Sequence, residues 1–386
     1  MRHLQNYLQS SFVSSFSERI FMGFESGSIT FRMFYVPKGL PKDSVERFAA
    51  LTPPSLDSLG DGSITGWVTS RHLLDSNIID ETAYVAGYLR LTLLKAERKI
   101  PPALLRAECK MEELAEMAAT GHTYLKRSVK SEIKQSVIER LLPEMPPTLT
   151  GIHFVYDARN ELLFADASTD KQIDALTIMF NRATGVTIVP VTPLTAAFSR
   201  KSIDVRDIPA TSFSQDCADA DAGDNIGHDF LTWLWFFSEA RGGIMNIDGI
   251  DFAVMIDGPL TFIHEGNGAH ETIVRKGTPL VSAEAKTALN CGKKLRRAKV
   301  TLARGEELWS VTMDADDFMM RGLKVPKGEA IDPIGKFEER TLMLKLFQDT
   351  FLTFFDRFLD ERADVSKWES TIKEIRTWVA EREGRL

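Results

Sequence analysis

Cysteine and histidine are scarce in this sequence. Its 386 residues include three cysteines, Cys109, Cys217 and Cys291, and seven histidines. An odd number of widely spaced cysteines argues against a disulfide framework and against a cysteine-rich zinc site. The histidines are scattered and form no His-Glu-x-x-His pair, so the sequence predicts no metal site. We expect the three cysteines to be reduced thiols that fill small spaces.

Long apolar runs and cofactor motifs are also missing. No stretch approaches the roughly 18 consecutive apolar residues that a membrane-spanning helix requires. The first residues are too polar for the hydrophobic region of a signal peptide, which predicts a cytoplasmic protein without a membrane partner. The sequence contains neither a Gly-x-x-x-x-Gly-Lys-Ser/Thr phosphate loop nor a Gly-x-Ser-x-Gly elbow, and it predicts no cofactor.

Charge, by contrast, is abundant. Charged residues make up 26% of the chain and apolar residues 44%, and 47 basic against 54 acidic residues leave a net charge of −7. This balance excludes a uniformly basic nucleic-acid coat, but it allows a local basic patch on an acidic body. At about 150 residues per domain, the length predicts two to three domains.

Strand and helix patterns interleave irregularly, which predicts an α+β fold. Short runs rich in β-branched and aromatic residues predict strands at 28–36, 84–94, 152–156, 162–165 and 186–191. Helical patterns predict helices at 41–50, 169–182 and 283–290, and an amphipathic helix pair within 337–383. The aromatic run at 233–237 predicts buried core rather than a base-stacking surface.

A helical insertion is predicted after Pro101 and Pro102. From 103 to 142 the pattern is helical and is broken once, near Gly121. In its second half, apolar residues recur every fourth position and form one stripe, at Leu125, Val129, Ile133, Val137 and Leu141. The segment therefore predicts a helical hairpin inserted into a β-containing domain.

These patterns together predict a central α+β domain with a mixed sheet, an inserted helical-hairpin tip, a second α+β base domain and C-terminal helices. The predicted boundaries are 1–22 for an N-terminal extension, 23–100 with 143–200 for the central domain, 101–142 for the tip, 201–330 for the base domain and 331–386 for the C-terminal helical extension.

The first of two cation clusters lies on the second tip helix. Lys126, Lys130 and Lys134 are four residues apart, about 100° round the helix from the apolar stripe, and Arg127 lies further round. One reading is a phosphate-binding face. The alternative is an ordinary solvated helix face.

The second cluster is denser. Residues 293–304 hold no acid and six cations, namely Lys293, Lys294, Arg296, Arg297, Lys299 and Arg304. In a strand, Lys293, Arg297 and Lys299 fall on one face, opposite an apolar face. Such a row suits a phosphate backbone, which requires charge and no base pattern. The alternative is an edge strand whose lysines prevent aggregation.

Catalytic patterns are weaker. Asp257 with Glu284 and Lys286 resembles the carboxylate-and-lysine set of metal-dependent nucleases. Two residues apart in a predicted helix, however, Glu284 and Lys286 point in different directions. The aspartates at 219–224 resemble the start of a calcium loop, but Phe230 occupies the position of its closing glutamate. The sequence therefore favours a protein that is not an enzyme, with a metal-dependent exonuclease as the alternative.

Several short segments, in this order, resemble the RdgC family, the recombination-associated proteins of bacterial nucleoids. The resemblance covers about residues 24–326, and it is carried by GSITFRMFY at 27–35, GWV at 66–68, KIPP at 99–102, LLFADAS at 162–168, VPVTP at 189–193, FLTWLW at 230–235, VRK at 274–276, LVSAE at 280–284, GK at 292–293 and LK at 323–324.

The resemblance implies a cytoplasmic, nucleoid-associated homodimer that closes into a ring. Such a ring encircles double-stranded DNA without sequence preference and limits RecA-type strand exchange. Carried over residue by residue, Lys276, Lys293 and Lys324 fall on basic positions of the family. Some members carry an exonuclease label, for which no supporting residues are found here. A protein-interaction scaffold that uses the apolar C-terminal helices is a further alternative.

Overall fold

The computed structural model describes residues 24–60, 62–219, 223–264 and 270–381. The predicted N-terminal extension at 1–22 lies outside the described residues, as do positions 220–222 of the aspartate-rich loop. Among the described helices, none is long and apolar enough to cross a membrane.

The strands form one continuous antiparallel sheet. Their order is β10-β9-β11-β12-β13-β1-β6-β5-β4-β2, and β3, β7 and β8 pair at the side with β4, β1 and β9. The strands are β1 Ile29–Tyr35, β2 Ser63–Thr69, β3 Tyr84–Val85, β4 Tyr88–Arg98, β5 Pro147–Asp157, β6 Leu162–Ala165, β7 Val189–Pro190, β8 Ile244–Ile247, β9 Ile250–Ile263, β10 Glu271–Val274, β11 Lys294–Arg304, β12 Glu307–Asp314 and β13 Met319–Lys324.

Strand β1 joins the two halves of this sheet. Its first residues, Ile29 and Phe31, pair with β13, and its later residues pair with β6. Phe31 and Phe34 are buried on opposite sides of the sheet, in different core clusters. A run of aromatic and β-branched residues suits this position because both of its faces are covered.

Helices cover the sheet and form the inserted hairpin. They are α1 Ser44–Ala49, α2 Asp80–Ala83, α3 Pro102–Thr120, α4 Arg127–Leu141, α5 Asp170–Thr184, α6 Pro193–Lys201, α7 Ile226–Ala240, α8 Ala283–Asn290, α9 Pro333–Arg362 and α10 Val365–Glu381. The α+β fold is confirmed. The domain boundaries stay a prediction, since the sheet runs without a break through β1.

Local signals placed several helix ends correctly. Helix α8 spans the predicted residues, with the Ser282 hydroxyl accepting a hydrogen bond from the backbone N–H of Ala285 at 3.1 Å. Gly121 adopts φ +67° where α3 ends, and Gly292 adopts φ +77° just after α8. Side-chain caps and left-handed glycines are local features, which explains why the sequence alone located them.

The aromatic run at 233–237 is buried, as predicted, but it lies in helix α7. One side of α7 packs on β9 and β11. On its other side, the Phe230 ring contacts Phe351, Phe355 and Phe358 of α9, with centroid distances of 5.7, 5.0 and 5.5 Å. A helix covered on all sides loses its polar face, and with it the helical period that identifies a surface helix.

The buried surface of α9 accounts for part of its apolar pattern. Phe351, Phe355 and Phe358 are buried in the core cluster that contains α7 and the β9–β13 half of the sheet. Leu342 of the same helix is exposed. The scaffold alternative therefore stays a prediction, but most of the large aromatic residues behind it pack inside this chain.

A second cluster fills the space between the other half of the sheet and helices α1 and α5. At its centre the Trp67 ring contacts Phe48 and Phe154, with centroid distances of 4.9 and 5.6 Å. The backbone N–H of Trp67 donates to the carbonyl of Leu51 at 2.9 Å, so the segment after α1 lies directly against β2. Gly66 permits this close approach, because a Cβ there would lie 2.7 Å from the Cα of Pro53.

We predict that Gly66→Ala destabilises the protein by about 1 to 3 kcal/mol, as overpacking does in a core that cannot shift. Chemical denaturation monitored by tryptophan fluorescence measures the change. Gly60→Ala is the matched control, since a Cβ at Gly60 meets nothing within 4 Å. Equal midpoints for the two variants would contradict the packing argument.

A buried acid lies at the end of β6. The Asp166 carboxylate accepts a hydrogen bond from the backbone N–H of His153 at 2.7 Å, and the His153 ring contacts the Thr92 hydroxyl at 2.7 Å. Burial raises the pKa of Asp166 to about 7 and, together with the charge of Arg90, lowers the pKa of His153 to about 4. Both side chains are therefore uncharged when the folded protein is mildly acidic.

Asp166→Asn should change how stability depends on pH. Between pH 4 and pH 7 folded Asp166 keeps a proton that the unfolded chain has lost, so the wild-type free energy of unfolding falls as pH rises through this range. The asparagine keeps the acceptor oxygen but has no proton that titrates in this range. Its stability relative to wild type should therefore rise with pH, by up to about 4 kcal/mol above pH 7.

Urea denaturation at a series of pH values measures this difference. His153 is present in both proteins, so its opposite contribution cancels to first order. Exposed Asp174→Asn serves as the control and should give a flat difference. A flat difference for Asp166→Asn as well would contradict the predicted burial cost.

Candidate nucleic-acid interface

Strand β11 carries the denser cation cluster in the middle of the larger half-sheet. It pairs with β9 on one side and β12 on the other, so it is not an edge strand. Ala298, Val300 and Leu302 point into the core, as the strand period predicted. Arg297 and Lys299 lie on the opposite, outer face. An interior strand presents its cations across a wide sheet surface, and the edge-strand alternative is therefore wrong.

Lys294 is not on that outer face. Its side chain is 4% exposed, and its Nζ lies 2.5 Å from the carboxylate of Asp229 in α7. The same carboxylate lies 3.2 Å from Nε of Arg362 at the end of α9. A buried, paired ammonium cannot reach a phosphate, so the inclusion of Lys294 among the DNA contacts is wrong. Strand alternation already puts Lys294 on the same inward face as Ala298 and Val300, and its inclusion came from the density of cations alone.

Most of the other cations of this cluster are paired with carboxylates. The pairs are Arg296 with Asp316 at 2.8 Å, Arg297 with Asp314, Lys299 with Asp257 at 3.2 Å, and Arg304 with Glu307 at 2.6 Å. Lys293 donates to the Thr272 hydroxyl at 2.6 Å. The strand that has no acid in its own sequence is therefore largely neutralised by acids from its neighbours.

The Asp316 carboxylate also holds His228 of α7. The two side chains are 2.6 Å apart, and His228 is buried. Burial alone would raise the pKa of Asp316, but the His228 hydrogen bond and the charges of His228 and Arg296 outweigh it and hold that pKa below its usual value. Asp316 therefore stays ionised and keeps Arg296 engaged.

Two further cations extend the outer face onto β13. In the sheet register, Thr312 of β12 pairs with Arg321 on one side and with Lys299 of β11 on the other. Lys324 pairs with Ser310 of β12. Arg321 and Lys324, here termed the β13 pair, are exposed and have no ion pair among the described residues. Lys324 was identified from the sequence, whereas Arg321 was missed.

A bulge explains why Arg321 was missed. In a regular strand, residues three apart point to opposite faces. If Lys324 points outward, a regular β13 would therefore turn Arg321 inward. The β12–β13 register shifts by one residue between these positions, and Gly322 adopts φ +65° there. The glycine between two cations was the available signal, since glycine inside a strand often marks a bulge.

Lys276 lies in the turn after β10, at the edge of the same half-sheet. It adopts φ +70° and is exposed beside Arg275, and neither side chain forms an ion pair within the part of the chain described. Lys276 therefore projects from the rim of the half-sheet rather than from its outer face.

The tip helices carry the other cluster. Helix α4 and its N-cap residue hold five cations and two acids, while α3 holds two cations and four acids. The α3 acids engage α4 near both of its ends: Arg140 lies 3.1 Å from Glu108 and 2.7 Å from Glu112, and Lys130 lies 3.8 Å from Glu113. The two helices therefore pair their opposite charges along most of their contact.

Three cations of α4 and its N-cap are left over. Lys126, Arg127 and Lys134, here termed the tip group, are exposed and have no ion pair among the described residues. Lys126 is the N-cap of α4, and its side chain makes no capping hydrogen bond. The unsatisfied N–H groups and the positive dipole end of α4 therefore add to the charge of Lys126 and Arg127.

The structure does not bring the two clusters together. The tip is inserted between β4 and β5, whereas the other cations lie on β11 and β13. Strands β5 and β11 are five positions apart in the sheet order, or about 24 Å at the usual strand spacing. Of the nuclease candidates, Asp257 on β9 is engaged in an ion pair with Lys299 of β11, and Glu284 lies in the first turn of α8.

Comparison with known proteins finds a family that part of this chain resembles. A family model described as "RdgC: Putative exonuclease, RdgC" matches residues 58–203. This similarity covers less than half of the chain. The resemblance to RdgC is thereby confirmed, although the match is shorter than the 24–326 expected. It contains the whole tip and excludes β11 and β13.

Individual relatives have the same family name. The recombination-associated protein RdgC of Pseudoalteromonas atlantica is 32% identical over 108 residues, 28% of this chain and 35% of that protein. The proteins of the same name from Yersinia pestis and Yersinia pseudotuberculosis are 25% identical over 135 residues, 35% of this chain and 43% of each relative. These matches span less than half the length of the relatives.

The Asp229 carboxylate is buried under β11, so its loss should cost more stability than the loss of an exposed carboxylate. Asp229→Asn leaves Lys294 and Arg362 buried without a countercharge, and we predict a loss of about 3 to 5 kcal/mol in the free energy of unfolding. Asp257→Asn, which removes the partner of a half-exposed lysine, should cost no more than about 1 kcal/mol. Chemical denaturation of both variants measures the contrast, and similar losses would contradict it.

Proposed function

We propose that this chain binds double-stranded DNA without sequence preference, as a homodimer, and acts in homologous recombination by limiting RecA-type strand exchange. We further propose that it does so in the cytoplasm, on the nucleoid, and without being an enzyme. The match to the RdgC family model and the names of the relatives, which are recombination-associated proteins, support the recombination role.

The tip group is the observation that carries the DNA-binding proposal. Lys126, Arg127 and Lys134 are exposed and have no partner carboxylate among the described residues, in a protein of net charge −7. They lie inside the region matched to the RdgC family. Unpaired cations at an uncapped helix start provide a site for phosphate oxygens and carry no base-reading pattern.

The β13 pair supplies a second set of phosphate contacts in this proposal. Arg321 and Lys324 are exposed on the outer sheet face, and Lys276 projects at its rim. The paired cations Arg297 and Lys299 contribute less, because a phosphate must compete with Asp314 and Asp257 for them. A nucleic-acid backbone carries a charge on every phosphate, so it can contact several separate groups of cations without a shared pocket.

The alternative is a metal-dependent exonuclease, which the description of the family model favours. Within the described residues, no group of three or more histidine, cysteine, aspartate or glutamate side chains is placed to hold a metal ion. The enzymatic question is therefore decided by assay rather than by the geometry.

The central prediction concerns the tip group. A triple variant should weaken binding to unrelated duplexes by the same factor; it combines Lys126→Ala, Arg127→Ala and Lys134→Ala. The slope of log affinity against log salt should become shallower by up to about 3, since each lost phosphate contact removes about 0.9. Fluorescence anisotropy of two labelled duplexes across a salt series measures both quantities.

Lys110→Ala is the matched control, because Lys110 is an exposed lysine of the same hairpin on α3. A second variant, Arg321→Ala with Lys324→Ala, reports the β13 contribution separately. An unchanged salt slope in the tip variant, or a loss confined to one duplex sequence, would contradict the proposal. End-labelled duplex incubated with Mg²⁺ or Mn²⁺ tests the alternative, which requires cleavage that Glu284→Ala abolishes.

A further inference from the structure

Two of the three cysteines lie close together, although they are 74 residues apart in the chain. The Cys217 thiol lies 3.9 Å from the carbonyl oxygen of Asn290. A Cβ built on Gly292 would lie 2.9 Å from Sγ of Cys217 and 3.1 Å from its Cβ. The residues immediately before and after Cys291 therefore both contact Cys217.

This contact sets a limit on the separation of the two cysteines. A carbonyl oxygen lies about 2.8 Å from the next Cα across a trans peptide, so Sγ of Cys217 is within about 7 Å of the Cys291 Cα. In a disulfide each sulfur lies nearer than this limit to the partner's Cα, so closure requires at most a shift of a few ångströms at the end of α8. Cys291 is the C-cap residue of α8, where helices fray most readily.

Both partners are held in place by other contacts. The Ser214 hydroxyl donates to the same Asn290 carbonyl at 2.7 Å. The Asp219 carboxylate accepts from the backbone N–H of Ser212 at 2.7 Å and contacts Arg376 of α10 at 2.7 Å. The segment 212–219 is therefore fixed against the end of α8.

The two thiols differ in access. Cys291 is exposed, whereas Cys217 is half-buried beneath the helix end. An exposed thiol next to a second, sheltered thiol is the arrangement of redox-sensing cysteines, in which the first is oxidised and the second resolves it. Cys109 lies on tip helix α3.

We propose that Cys217 and Cys291 are an oxidation site at which peroxide forms an intramolecular disulfide. Peroxide oxidises the Cys291 thiol to a sulfenic acid and releases one water. The Cys217 sulfur then attacks the Cys291 sulfur, so that an S–S bond forms, the S–O bond breaks and a second water leaves. The two thiols supply the two electrons that reduce one peroxide, and a cellular dithiol reverses the step.

The disulfide would clamp segment 212–219 to the start of β11. Lys293 and Lys294 come two and three residues after Cys291, and Lys294 donates to the carbonyl of Gly223 at 2.7 Å. The covalent link would thus reinforce a junction that is already held by the buried Lys294–Asp229 pair. Oxidation is therefore expected to raise the melting temperature, because it constrains the unfolded chain.

The test is peroxide treatment of the full-length Cys109→Ser protein, which keeps only the two cysteines concerned. We expect the intact mass to fall by two hydrogen atoms and proteolysis without reductant to yield one peptide pair joined through Cys217 and Cys291. Dithiothreitol should reverse both changes, and the melting temperature should rise only in the oxidised form.

Cys217→Ser and Cys291→Ser, each in the same background, separate the possible outcomes. With Cys217→Ser, Cys291 should proceed to stable oxygen adducts, because its resolving thiol is missing. With Cys291→Ser, Cys217 should remain a thiol. Three results would overturn the proposal. They are a linked peptide pair in the wild-type chain that requires Cys109, a Cys291–Cys291 link between two copies, and an unlinked sulfinic acid in the Cys109→Ser protein.

Discussion

The carboxylate of Asp229 is the interaction on which the larger half of the molecule depends. It lies in the first turn of α7, is 1% exposed, and contacts Lys294 of β11 and Arg362 of α9. An acid suits the N-terminal end of a helix and an arginine the C-terminal end, so both helix dipoles favour this arrangement. One carboxylate therefore ties together two packed helices and the strand that lies between them in sequence.

Two buried cations on one carboxylate require further partners, and the backbone supplies them. Lys294 donates to the carbonyl of Gly223, and Arg362 donates to the carbonyl of Pro209 at 2.5 Å. Both carbonyls belong to the irregular segment that leads into α7. The two buried cations thereby hold the described backbone at Pro209 and at Gly223 against the core.

How far the sequence predicts this fold depends on the range of the interaction. Ser282 and Gly292 bounded α8 correctly because a cap and a left-handed glycine act within a few residues. The strand β11 was found from its period, but the partners of its cations were not, because Asp257 is 42 residues away and Asp229 is 65 residues away in the sequence. A composition window that contains no acid says nothing about acids on neighbouring strands.

The same reasoning explains why the sparser cluster gives the better candidate site. Along β11, neighbouring strands are obliged by the sheet register to place residues beside each cation, and Asp257 and Asp314 occupy those positions. The end of the tip hairpin has a neighbour only along one side of α4. The acids of α3 reach Arg140 and Lys130, but among the described residues no carboxylate forms an ion pair with Lys126 or Arg127 at the start of α4. Unpaired charge therefore accumulates where the fold protrudes, and not where cations are most concentrated in the sequence.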